Sequence, residues 1–298
     1  MRMSDTPLIA TKLHLPPLYA DLIPRPQLFQ LLETGLQVPL VLISAPPGFG
    51  KSMLMAGWLH TRTPQLLSAW LSLDESDNAP ELFWRYFIAA WQSIHAGLGE
   101  TARSMLSAPG IPDIPVILST LINEMAALGS PFLIVLDDYH LIRSAAIHEN
   151  VRFLLDHLPA NAHLALLTRE DPPLGLARRR AHRRMVEIRA ANLRFDSRET
   201  AEFLLNSQKL ELDYQQIEIL EKRTEGWIIG LQMAAFSLQG RDPDQFFASF
   251  TGDDRYIADY LIEEVLHRQP DAVRNFLLKT SILDRLSVPL CAAVTGEP

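Results

Sequence analysis

The run Ala45-Pro46-Pro47-Gly48-Phe49-Gly50-Lys51-Ser52 sets two glycines, a lysine and a hydroxyl side by side. Residues of these types in this order can hold a phosphate chain. Glycine allows the backbone to turn successive N–H groups inward around an anion. Lys51 reaches the β- and γ-phosphates, and the Ser52 hydroxyl offers an oxygen to Mg²⁺. The nucleotide-contacting set is Ala45, Pro46, Pro47, Gly48, Phe49, Gly50, Lys51, Ser52 and Met53. Ala45 stands where the usual pattern opens with glycine. Gly48 then supplies the turn one step later, and Pro46-Pro47 stiffen the loop.

A second group with chemical potential ends the apolar run Phe132–Leu136, which is followed by Asp137 and Asp138. A magnesium nucleotide needs one carboxylate near the metal, here Asp137. Hydrolysis needs another to orient or deprotonate the attacking water, here Asp138. Alone the pair also reads as a solvated turn before Tyr139. Arg169 follows the run Leu164–Thr168 and either faces a γ-phosphate or pairs locally with Glu170 or Asp171. The catalytic set is therefore Lys51, Asp138 and Arg169, with Ser52 and Asp137 on the metal. Arg178, Arg179, Arg180, Arg183 and Arg184 form a dense basic run. It reads as a helix face with packed aliphatic stems, or a contact to another domain or subunit, before it reads as a nucleic-acid surface. Asp74-Glu75-Ser76-Asp77-Asn78 reads as an acidic turn near the magnesium site.

These side chains need a scaffold that brings loop ends together. Leu40–Ser44 is a short apolar run, the length of a buried strand, and Ala69–Leu73, Phe132–Leu136, Leu164–Thr168 and Val186–Arg189 read as four further strands. Helical patterns lie between them at Ser52–His60, Pro80–Ile94, Val116–Leu128 and Ile147–His157, with a short arginine-rich helix before the last strand. A Pro- and Gly-rich loop is expected over 107–115. Uniformly apolar strands alternating with helices predict an α/β fold, a parallel sheet covered on both faces. The phosphate run then sits between a strand and a helix whose positive end faces the anion.

Behind the sheet the pattern turns helical over 198–207, 213–223, 227–239, 255–267 and 271–280, with Asp196 or Ser197 as the first cap. The first 26 residues hold five of the 21 prolines and predict an irregular lead-in. The expected division is 1–26 lead-in, 27–192 nucleotide-binding domain, 193–250 helical domain, and 251–298 the start of a further domain, in a chain read as part of something longer.

Composition excludes other classes. The 298 residues are 48% hydrophobic and 21% charged, a globular balance. The net charge of −8 opposes a main role in gripping nucleic acid. One cysteine, Cys291, builds neither an internal disulfide nor a cysteine-rich zinc site, and points to a reduced, cytoplasmic setting. No apolar run approaches the length of a membrane span, so no membrane partner is expected.

Several blocks together resemble a family. They are Thr11-Lys12-Leu13, Ile23-Pro24-Arg25-Pro26, the loop Ser44–Ser52, Trp70–Glu75, Leu136–His140, Thr168-Arg169, Ile188–Phe195, Thr224–Trp227, and the segments from Phe276 and to Gly296. They look like the ATPase portion of large ATP-binding LuxR-type transcriptional regulators of the maltose-regulon-activator type, within the signal-transducing ATPases with numerous domains. The resemblance implies a P-loop nucleotide-binding domain, a helical domain and the start of a winged-helix domain. It implies that Arg25 lies near the nucleotide and that Arg169 senses the γ-phosphate. It also implies DNA contact only through a C-terminal helix-turn-helix absent from this chain.

The function these observations predict is a switch. ATP with Mg²⁺ holds a self-associating form, ADP a resting form, slow hydrolysis resets it, and an unidentified inducer biases the balance. The alternative is a P-loop phosphotransferase acting on a small acceptor, with the Arg178–Arg184 run as its lid. A remodelling motor is a third reading, and the acidic balance opposes its DNA version.

Overall fold

The computed structural model describes residues 7–18, 22–94, 97–108, 113–241, 243, 246–247, 259–266, 269–283 and 285–296. Five parallel strands, β1 Leu40–Ser44, β2 Leu67–Ser72, β3 Phe132–Asp137, β4 Ala162–Thr168 and β5 Met185–Arg189, form one sheet in the order β2-β3-β4-β1-β5. Strands β1, β3 and β4 are buried at every position, the mark of a sheet covered on both sides.

Alternate side chains feed two cores because strand side chains alternate with period two. Leu40, Leu42, Leu71, Ile134, Leu136 and Leu164 face one core, and Val41, Ile43, Trp70, Leu133, Val135 and Leu167 face the other. The first core is covered by α3 Pro80–Gln92, α4 Glu100–Ser107, α5 Ile114–Ala127 and α6 Ala145–His157. Phe83, Trp84, Phe87 and Trp91 of α3 are all but fully buried in it. The second core is covered by α1 Pro26–Gly35 and α2 Lys51–Thr61 through Leu28, Leu32, Met55 and Trp58. Short helices α7 Leu176–Ala181 and α8 Ala190–Leu193 flank β5.

A separate helical core follows. Helix α9 Ser197–Glu202 runs into a π-turn, Phe203–Ser207, and α10 Tyr214–Thr224 and α11 Ile228–Leu238 pack behind it. Asp196 caps α9, accepting from Glu199 N at 2.8 Å, as the sequence suggests. Helices α12 Asp271–Thr280 and α13 Val288–Thr295 lie near the end of the chain.

Three expectations are corrected. The lead-in is packed, not merely irregular. A 3-10 turn at Ala10–Leu13 buries Lys12, whose ammonium binds Asp77 at 2.5 Å and Asp74 at 3.1 Å and sits 4.4 Å from the Tyr86 ring centre. Asp74 and Asp77 of the acidic turn thus clamp the lead-in, and the turn follows Leu73, whose N–H donates to the Asp137 carbonyl at 3.0 Å. Helix α4 has no counterpart in the sequence reading, and α5 begins inside the expected loop over 107–115, of which 109–112 lie outside the described residues. Much of the expected helix over 255–267 also lies outside them, and Leu261–Leu266 is a π-turn. Among the described residues no helix is long and apolar enough to cross a membrane.

Candidate nucleotide site

The sheet order puts three loop ends beside one another. The phosphate loop leaves β1, Asp138 follows β3, and Arg169 follows β4, which lies between β1 and β3. Ligands of open parallel sheets bind at this carboxyl edge. A cavity of about 600 Å³ opens there, walled by Pro47–Leu54, Asp138 and Arg169 on the sheet side.

Local geometry explains how the loop opens. Gly48 and Gly50 both have φ +76°, a region costly for residues with a β-carbon. Gly50 is the N-cap of α2, so the positive end of that helix points at the cavity. Lys51 is 8% exposed, and its ammonium donates to the carbonyls of Ala45 at 2.8 Å and Pro46 at 3.1 Å. Ala45 and Pro46 thus do not line the cavity but hold the lysine. Burial, and then the nearby Arg169, lower the Lys51 pKa, while Asp138 and Asp137 oppose the shift. An anion placed between Lys51 and Arg169 relieves both costs.

Asp137 lies behind the wall, not on it. Its carboxylate accepts from the Ser52 hydroxyl and from Asp138 N at 2.9 Å. Burial, reinforced by Asp138, pushes its pKa up to about 6. Asp138 has φ +57°, a left-handed turn that aspartate tolerates better than most residues, and it reaches the cavity. Hydroxyl and carboxylate oxygens are the donors a hard divalent cation takes. Ser52 and Asp137 would therefore suit Mg²⁺ as oxygen ligands. Among the described residues no group of three or more His, Cys, Asp or Glu forms a metal site of its own.

Arg25 lines the cavity, but its guanidinium is engaged elsewhere. It pairs with both Glu199 oxygens at 2.8 Å, donates to the carbonyls of Leu193, Asn192 and Arg194, and lies 4.9 Å from the Phe195 ring centre. It ties the lead-in to the helical unit, where Ile23 also joins the core.

The wall opposite the loop comes from residues that sequence patterning did not single out. Phe203, Gln208, Ile228, Ile229, Gln232 and Tyr260 line it. The Trp227 indole N–H donates to the Pro47 carbonyl at 3.2 Å. A β-carbon on Gly48 would lie 2.7 Å from Ile229 Cγ1 and 2.9 Å from Trp227 Nε1. The start of α11 is thus seated directly on the phosphate loop. The signal in the sequence was the block Thr224–Trp227, which carries no chemistry by itself. The five arginines of the dense run line none of this cavity. Arg179 binds Asp156 at 2.9 Å and Arg180 binds Glu187 at 2.6 Å.

Known proteins agree with this architecture. The MalT winged helix domain family matches residues 262–298. The HTH-type transcriptional regulator MalT of Cronobacter sakazakii is 33% identical over 293 residues, 97% of this chain and 32% of the relative. The regulator of the same name from Yersinia enterocolitica is 32% identical over 295 residues, with the same coverage of 97% and 32%. A signal transduction ATPase with numerous domains (STAND) protein with a tetratricopeptide repeat sensor, from Pyrococcus horikoshii, superposes with a TM-score of 0.53 at 15% identity. That match covers 93% of this chain and 37% of the other, and it carries the fold alone. The chain is thus a MalT homologue with a STAND-type P-loop fold, homologous over 97% of its own length and spanning about a third of the length of the regulators it matches.

Proposed function

We propose that this chain is the nucleotide-operated switch of a transcriptional regulator. ATP binds in the cavity between the sheet edge and the helical unit. Lys51, the phosphate-loop N–H groups and Arg169 hold the phosphates. Mg²⁺ on Ser52 and Asp137 would neutralise charge on the β- and γ-oxygens. Asp138 orients the attacking water and hydrolysis is slow, because the bound state rather than the product is the output.

The observation that carries this reading is the contact of Trp227 and Ile229 with Pro47 and Gly48. A phosphate drawing the loop N–H groups inward must move the surface on which α11 rests. Loop and helix are then a two-state element that nucleotide biases by differential contacts. ADP supports the seated form, and ATP a form that self-associates. An inducer acts by preferring one form. Specific DNA contact belongs to the part of the relatives' length that this chain does not span. The acidic balance and the single cysteine suit a cytoplasmic switch of this kind.

The phosphotransferase reading loses its lid, because the Arg178–Arg184 side chains line none of the nucleotide cavity. The test of the switch is direct. The chain is titrated with ATP and ADP in Mg²⁺, and its mass is measured by sedimentation in each. Tight binding of both, with a larger species only in ATP, is expected. The same mass in both nucleotides removes the switch, and no binding of either removes the nucleotide site.

A further inference from the structure

A second cavity, of about 380 Å³, lies apart from the first and shares no lining residue with it. Arg152, Arg178, Arg179, His182 and Arg184 line it, with Asp156 as the one carboxylate. Four guanidinium groups against one acid give a local excess of positive charge in a chain whose net charge is −8. Such an excess is costly without an anion, since like charges at close range repel.

The cavity has a fixed floor and unpaired walls. Arg179 is 4% exposed. Its Nε donates to the Leu174 carbonyl at 3.1 Å, and its Nη2 donates to Asp156 at 2.9 Å and to the Arg152 carbonyl at 3.3 Å. Its Nη1 is buried and makes no hydrogen bond. Burial, and further the charges of Arg184 and Arg178, lower the Arg179 pKa although Asp156 opposes them. The one acid present is thus already engaged by Arg179. The side chains of Arg152, Arg178 and Arg184 have no ion-pair partner among the described residues. Arg152 and Arg178 are exposed and Arg184 is half-buried. Arg152 comes from α6, Arg178 from α7 and Arg184 from the connection between α7 and β5, so the cluster is made by the fold and not by the dense run alone.

Arginine forks match the planar oxygen pairs of phosphate better than lysine does. A cavity of this size suits a small ligand, not a polymer groove. We propose that this cavity binds a small phosphorylated anion, gripped by Arg178 and Arg184 with Arg152 opposite, on a platform that Arg179 fixes through Asp156 and Leu174. The proposal is independent of the nucleotide reading, since the two sites share no residue.

The test is calorimetric titration of the whole chain with inorganic pyrophosphate and, separately, orthophosphate, with saturating MgADP present. The parent chain is compared with an Arg178→Gln/Arg184→Gln double variant and with Arg152→Gln. All keep the same phosphate loop, so any difference reports the second cavity. Saturable binding of either probe by the parent, weakened at least about tenfold in the double variant and measurably in Arg152→Gln, is expected from loss of charge-assisted bonds. Thermal unfolding checks that the variants remain folded, and Arg152→Gln, an exposed change on a long helix, keeps the test valid if the double variant does not. Equal affinity in parent and variants, or no saturable binding by the parent, overturns the proposal. So does a loss of duplex-DNA binding in the variants with pyrophosphate binding unchanged, which assigns the surface to nucleic acid instead.

Discussion

The Trp227 indole N–H is hydrogen-bonded to the Pro47 carbonyl at 3.2 Å, across 180 residues of sequence. One partner lies in the phosphate loop and the other precedes the first turn of α11. The contact joins the loop after β1 to the helical unit, the two parts that the proposed switch would couple.

Replacing Trp227 by Phe keeps an aromatic ring and removes the donor. A neutral hydrogen bond contributes about 1 kcal/mol, so the seated form should lose about fivefold in population relative to the released form. Self-association measured by sedimentation should then occur at lower ATP in Trp227→Phe. An unchanged ATP dependence means the bond does not couple the two parts.

Lys51→Ala removes the one charge that the loop itself brings to the β- and γ-phosphates. The loss of a charge-assisted bond costs about 2–3 kcal/mol or more, roughly a hundredfold in affinity. Titration with a fluorescent ATP analogue reads this directly. Retained affinity would remove the phosphate-loop assignment.

Asp138→Asn should leave ATP affinity nearly unchanged and slow hydrolysis at least about tenfold, because the role proposed for Asp138 is on the attacking water and not on the bound nucleotide. Its left-handed φ of +57° is also available to asparagine, so the fold is kept. Asp137→Ala should instead weaken binding only when Mg²⁺ is present. Single-turnover assays and binding with and without Mg²⁺ separate the two roles.

Arg169→Ala should weaken ATP binding more than ADP binding. A side chain facing the γ-phosphate has no counterpart to hold in the diphosphate. Parallel titrations with both nucleotides decide it, and equal losses make Arg169 a structural residue.

Asp137 predicts a pH dependence in the nucleotide-free chain. Burial, then Asp138, raise its pKa from 3.8 to about 6. The folded state therefore holds this proton more tightly than the unfolded state. Its contribution to stability is complete below the unfolded value and is lost as pH rises through about 6. Asp137→Asn should flatten that dependence and be more stable than the parent at neutral pH by about 3 kcal/mol. Thermal melts across pH in the absence of nucleotide and Mg²⁺ measure it. A variant less stable than its parent at neutral pH contradicts the assignment.

The sequence by itself determined what depends on local pattern and residue type. Apolar runs mark the three strands that are buried at every position, β1, β3 and β4, since a strand buried on both faces must be apolar almost throughout. Gly48, Gly50, Lys51 and Ser52 mark the phosphate loop because backbone freedom and charge are properties of those residues alone. Asp196 marks a cap because its carboxylate reaches backbone N–H groups three residues away. Tertiary structure decided what depends on distant partners. Strand order, which sets Asp138 and Arg169 beside the loop, follows from how the helices cover the two faces. Arg25 carries no sign that Glu199 and three carbonyls engage it. Lys12 lies in a proline-rich lead-in, yet it is buried because Asp77 is. The arginine run reads as one basic face along the chain, but folding sends Arg179 inward to Asp156 and Arg180 to Glu187. The seat of α11 on Gly48 is decided by packing between two cores, which hydrophobic periodicity within either one does not contain.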